Sequence, residues 1–237
     1  MVQAQYVGAE HGTSARGGVS PAGRTAIVVG AVIAPVIFVL AQALFPVLPH
    51  TVEEAFPIMV EQRGLVFATR MLSGVGSALF ILLAGPIGYL VPRAARGAIL
   101  TRLGLLLMSA GAILNALSQI VQGFATHAAT RTGIPVSVGQ DIVLKIVSGP
   151  EGVLLEYWVL IMFALGLIIV GTGTLLSRRV GKFVPILLMA GVVIALALSG
   201  MGPIGVVTMA PLAIAVVALI VKAARSGYLN PLSNRTK

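Results

Sequence analysis

The stretch SRRVGKFVPILLMAGVVIALALSGMGPIGVVTMAPLAIAVVALIV, residues 177–221, decides the fold of this chain. It reads as a basic turn, an apolar run over 183–200, a Gly-Met-Gly-Pro break at 200–203, and a second apolar run over 204–221. As a single helix the two runs would far exceed a hydrocarbon core of about 30 Å at about 1.5 Å per residue. The break also contains a proline, which stops a helix by removing a backbone N–H and crowding the preceding turn. The stretch therefore predicts two membrane helices joined by a tight turn.

Four more apolar runs precede it, over 25–47, 65–91, 103–125 and 152–176. The chain of 237 residues is 57% hydrophobic and only 10% charged. Soluble domains carry about 25% charged residues, so the excess apolar surface is expected to face lipid. The predicted fold class is all-α: a polytopic integral membrane bundle of six transmembrane helices with both termini cytoplasmic. Its expected parts are a disordered N-terminal tail over 1–24, a transmembrane domain over 25–221 and a basic C-terminal tail over 222–237. Ala41-Gln42-Ala43 resembles a signal-peptidase site, but its apolar run continues past that point and is too long for a signal segment. Pro35 inside the first run is tolerable in a membrane helix.

Six crossings put both termini on one side. That side collects Arg16, Arg24, Arg93, Arg96, Arg102, Arg178, Arg179, Lys182, Lys222, Arg225, Arg235 and Lys237, twelve of the sixteen cations. Only Arg63, Arg70, Arg131 and Lys145 fall on the other. Positive loops stay in the cytoplasm, so both termini are expected inside. The bias to Arg over Lys, with much Ala, Gly and Val, resembles GC-rich bacterial coding, so the expected location is the cell inner (plasma) membrane of a bacterium. The formal charge of +9 thus follows from topology. No aromatic interleaving or reader motif accompanies it, and nucleic acid is not an expected partner.

Two connecting segments suggest structure at the outer surface. Thr51 and Glu54 have the spacing of a capping box, ahead of Val52, Phe56, Met59 and Val60 as interfacial residues. A short interfacial helix is expected over 139–148.

The polar residues inside the runs gather in the outer half. Arg70 lies about 8 Å below the outer start of the second run, two turns from Arg63 on the same face. Asn115, Ser118, Gln119 and Gln122 follow the i, i+3, i+4, i+7 spacing of one helical face. Gln42 ends the first run and Glu156 opens the fourth. In hydrocarbon each such group needs a partner or water. The expected site is therefore a polar pocket open to the outside, formed by Arg70, Asn115, Gln119, Gln122, Glu156 and Gln42. An Arg70–Glu156 ion pair is one expected element; alternatively the guanidinium meets a carboxylate or phosphate of a ligand. The structural counter-reading has Arg70 snorkelling to headgroups and the helix-three stripe binding a neighbouring helix.

Small residues four apart, Ser73/Ser77 and Gly74/Ala78, and the group Ala190, Gly191, Ala195 and Ser199, suggest close helix packing. The absence of cysteine excludes disulfides, thiol catalysis and iron–sulfur clusters. His11, His50 and His127 never share a membrane helix at ligand spacing, so neither haem nor another metal or cofactor is expected. No catalytic motif is present, and the chain is not expected to be an enzyme. Two functions remain: a small permease or binder of an amphipathic or anionic molecule, or a non-catalytic accessory subunit of a larger membrane complex. The expected partners are the lipid bilayer with either that small molecule or further subunits, including copies of the same chain.

Overall fold

The structure is a computed structural model describing residues 19–49, 51–147, 149–198 and 203–229. The described residues contain helices and connecting turns and no strand. The tails over 1–18 and 230–237, His50, Ser148 and the segment 199–202, which includes Ser199, lie outside them.

Helix α1 covers Pro21–Leu44. It begins before the apolar run because Pro21 suits the first helical turn and the Ser20 hydroxyl accepts a hydrogen bond from Gly23 N at 3.1 Å. Helix α2, Val52–Glu61, is capped by the Thr51 hydroxyl, which accepts from Glu54 N at 3.4 Å. The second run folds as α3, Arg63–Leu79, a 3-10 turn over Phe80–Leu83, and α4, Ala84–Leu90. Pro86 explains the tightened turn, since it offers no N–H to the carbonyl of Leu82 one turn back. Helix α5 is Ala98–Ala129 and α6 is Val136–Val147, starting three residues before the helix expected there. Helices α7, Pro150–Ser177, α8, Phe183–Ala197, and α9, Pro203–Ala223, complete the chain. A π-type turn, Ala224–Tyr228, closes α9.

Five helical segments are long and apolar enough to cross a membrane: Pro21–Leu44, Arg63–Leu90, Ala98–Ala129, Leu154–Ser177 and Ile204–Tyr228. The expected sixth, α8, is equally apolar but has 15 residues. At 1.5 Å per residue it reaches about 22 Å, short of a 30 Å core. The apolar run of 183–200 suggests a longer helix, but α8 closes at Leu198, whose N–H meets the carbonyl of Ile194.

The core sits where α3–α4, α5, α7, α8 and α9 meet, around Phe80, Leu83, Met108, Leu167, Leu188 and Leu219. The most extensive interface joins α5 to α7. It runs on glycines seven apart, with Gly97 against Gly173, Gly104 against Gly166 and Gly111 against Phe163. A Cβ on Gly111 would lie 2.5 Å from Phe163 N, and one on Gly166 would strike the backbone of Met108. Gly97 starts this seam with φ +79, a left-handed conformation that a side chain resists. The small residues expected on α3 and α8 also pack closely, with Gly74 against the Ala116 carbonyl and Gly191 against Leu212.

One end of the bundle gathers the start of α1, the α4–α5 and α7–α8 turns and the end of α9. It carries Arg24, Arg93, Arg96, Arg178, Arg179, Lys182, Lys222 and Arg225. Arg24 ties the first helix to the last: its Nη1 donates to the Tyr228 carbonyl at 3.2 Å, and its guanidinium lies 5.9 Å from that ring centre. At the opposite end α2 and α6 form a small cap. Phe56 and Met59 of α2 are buried there with Val143 of α6 and Ala129 of α5, whereas Val60 is exposed. The cap thus draws two of the four expected interfacial residues, Phe56 and Met59, into protein.

Candidate functional site

Between the helices and below the cap lies a cavity of about 390 Å³. Its polar wall comes from α1, α3, α5 and α7. Gln42, Arg70, Ser73, Asn115, Gln119 and Glu156 all line it. Five of the six residues expected at a polar site are therefore brought together by four different helices.

Arg70 is the chemical centre of this wall. It projects from the second turn of α3, and its Nη1 donates to Gln119 Oε1 at 2.7 Å. Gln119 Nε2 donates to Asn115 Oδ1 at 3.4 Å, and Asn115 Nδ2 donates to Ser77 Oγ at 2.7 Å. A chain of hydrogen bonds thus runs from Arg70 across α5 and back to α3. The guanidinium carbon also lies 4.9 Å from the Phe45 ring centre, where the face of the ring attracts a cation. A guanidinium has five N–H donors, and only one meets an acceptor among the described residues.

The expected Arg70–Glu156 ion pair is not formed. The ion pair present among the described residues is Lys145–Asp141, at 2.7 Å on the exposed side of α6. Arg70 turns instead toward Gln119 and Phe45, while Glu156 stays at the exposed mouth of the cavity. Gln122 does not line the cavity. It is buried, and its Nε2 donates to Ser118 Oγ at 3.2 Å. The predicted stripe on the third run thus divides, with Asn115 and Gln119 facing the cavity and Ser118 and Gln122 satisfying one another.

The floor is aromatic and aliphatic. Phe80 opens the 3-10 turn and meets Phe38 of α1 and Phe163 of α7 edge-on, with ring centres 6.1 and 5.2 Å apart. Leu167, Val192, Met209 and Leu212 complete it. Four of the chain's eight phenylalanines line this one cavity. The sequence does not separate them from other apolar residues, because a Phe inside a membrane run carries no local mark of the neighbours it will meet. Ser73, small and buried on the Arg70 face, reads in the sequence as a packing residue and joins the cavity wall in the fold. Leu160 and Leu196 line the cavity and are also exposed on the outside of the bundle, so it reaches the surface between α7 and α8.

The arrangement suits binding. A single cation with unused donors faces an apolar chamber, and the anion at the rim does not neutralise it directly. Among the described residues no three His, Cys, Asp or Glu side chains converge to hold a metal. His127 packs on Phe67 at 4.9 Å between ring centres, and its Nδ1 is buried without a hydrogen-bond partner in the described structure. Comparison of the chain with protein-family models, with curated proteins and with solved structures finds no match.

Proposed function

We propose that this protein is a six-span bacterial inner-membrane protein whose cavity binds a small anionic amphiphile that reaches it from the outer leaflet. The contact of Arg24 with Tyr228 supports an even number of crossings, because it brings the start of the first helix and the end of the last to one end. On that reading α8 supplies the sixth crossing, in a locally thinned bilayer. The gathering of cations at the same end supports a cytoplasmic position for both termini.

The observation that carries the function is Arg70, held against the cavity by Gln119 and Phe45 above an aromatic floor. A carboxylate or phosphate takes the free donors of the guanidinium in a forked contact. An apolar body of the ligand then covers Phe38, Phe80 and Phe163. A water occupies about 30 Å³ of liquid, so about 390 Å³ admits a ligand of about a dozen non-hydrogen atoms. At about 0.3–0.5 kcal/mol per atom such a ligand binds with a Kd of about 0.04–2 mM. Uptake or transfer of this molecule across the membrane is the activity we infer for the site. A chamber built within one chain favours this reading over that of an accessory subunit.

Native mass spectrometry of the full chain, released from a mild detergent, tests the proposal. Decanoate or decyl phosphate should bind one to one, and decyltrimethylammonium should not. Ala195→Trp, which leaves the Arg70 side chain unsubstituted and adds bulk to the cavity wall, should abolish the adduct. Equal retention of the anionic and cationic probes would overturn the assignment of Arg70 as the selecting group. A stoichiometric larger protein partner, with no small-molecule adduct, would favour the accessory-subunit reading.

A further inference from the structure

A second site lies at the other end of the molecule and does not depend on the cavity. Where the start of α8 meets the end of α9 there is a cleft of about 420 Å³. Val184, Ala218 and Val221 give it apolar walls, Gly181 leaves it open, and Lys222 and Arg225 stand at its rim.

Two features suit these cations to a shared anion, and their place on the cleft sets them apart from the other cations at this end. They are three residues apart on one helical face, so they repel each other and gain from a shared anion. Neither side chain makes a hydrogen bond or ion pair among the described residues, and that end of the bundle offers no carboxylate among them. Arg24, by contrast, is engaged by Tyr228.

The chain also holds the pair in place. After Ala223 it enters the π-type turn, and Gly227 reverses it with φ 98. Tyr228 is thereby buried beneath α4. Its ring meets Tyr89 edge-on at 5.4 Å, and its hydroxyl would lie 2.6 Å from a Cβ placed on Gly85. Tyr89 donates its hydroxyl to the Ser226 carbonyl at 3.3 Å, and the Ser226 hydroxyl donates to the Lys222 carbonyl at 2.8 Å. These contacts anchor the backbone on both sides of Arg225 and fix the rim against the cleft.

We propose that this cleft binds an anionic phospholipid of the adjoining leaflet, its phosphate between Lys222 and Arg225 and the head of an acyl chain along Val184, Ala218 and Val221. Charge selects the phosphate. The walls select the lipid over a soluble anion, because a free phosphate leaves them uncovered. An unspecific basic surface would need neither the walls nor the locked turn.

The test uses the full-length chain, delipidated in mild detergent and titrated with phosphatidylglycerol or phosphatidylcholine, with adducts counted by native mass spectrometry. Phosphatidylglycerol should give one tight adduct. Each cation at an anionic surface contributes about fivefold, so Lys222→Ala with Arg225→Ala should weaken it about 30-fold. Gly181→Leu keeps both charges, and its Cβ meets no atom within 4 Å, so it should fold normally and still weaken the adduct by filling the cleft. Equal weakening by Arg93→Ala with Arg96→Ala would overturn the site in favour of diffuse charge. Effective competition by glycerol phosphate would overturn the role of the walls, and loss of all selectivity over phosphatidylcholine would overturn the proposal outright.

Discussion

Replacing Arg70 by methionine separates a binding residue from a structural clasp. The side chains are similar in length, so the thioether would keep most of the packing of the stem against α5, where Gly123 approaches the Arg70 Cβ. The change removes the hydrogen bond from Nη1 to Gln119, which as a charged bond is worth about 1.5–3 kcal/mol. It also removes the contact with the Phe45 ring, worth about 1–2 kcal/mol where water is excluded. Against this, a guanidinium held among helices carries a desolvation penalty of several kcal/mol that methionine does not. Gln119 keeps its bond to Asn115, and Asn115 keeps Ser77, so the rest of the polar chain remains paired. The terms nearly cancel, and the expected stability change is within about 1–2 kcal/mol of zero. Retention of decanoate should nevertheless fall at least tenfold. Thermal unfolding in detergent, followed by size-exclusion of the heated protein, reads the first quantity; native mass spectrometry reads the second. A loss of more than about 3 kcal/mol with decanoate binding unchanged would refute the reasoning, because Arg70 would then be holding the bundle together.

Four further variants probe the framework around that site. Gly166→Ala drives a Cβ into the backbone of Met108 and should cost about 1–3 kcal/mol by forcing α5 and α7 apart; Gly88→Ala, whose Cβ meets nothing within 4 Å, should be neutral or slightly stabilising in the same thermal assay. Gln122→Leu with Ser118→Ala removes both members of a buried pair outside the cavity, so decanoate retention should stay unchanged and stability should move by less than about 1 kcal/mol. Phe56→Ala empties the small core beneath the α2–α6 cap, and proteolysis should then cut the 126–151 region faster while the rest of the bundle melts within a few degrees of the unsubstituted protein.

Much of the site is legible in the sequence because its polar residues are exceptions in an apolar chain. Arg70, Gln119 and Asn115 stand out against Leu, Val and Ala, and their common depth follows from counting residues along a helix. Periodicity cannot separate Gln119 from Gln122. Both lie on one broad face of α5, and only the neighbouring helices divide that face into a cavity wall and a packed seam. An Arg70–Glu156 pair is the natural expectation because opposite charges in hydrocarbon seek each other, but Phe45 and Gln119 stand nearer to the guanidinium. The main glycine seam has a sequence signal at a spacing other than four: Gly97, Gly104 and Gly111 recur every seven positions, as do Gly166 and Gly173.

The amino-acid sequence by itself determined the helical class, the apolar segments and the segregation of charge. Each of these is a sum of local terms: hydropathy adds residue by residue, a proline breaks a helix wherever it falls, and a loop arginine carries its charge regardless of fold. Only the tertiary structure decided the 15-residue length of α8, the division of the polar stripe, the aromatic floor and the cleft at Lys222 and Arg225. Those depend on how far each helix is rotated about its axis and which helix lies beside it. Many side chains share that choice at once, and no single stretch of the chain contains it.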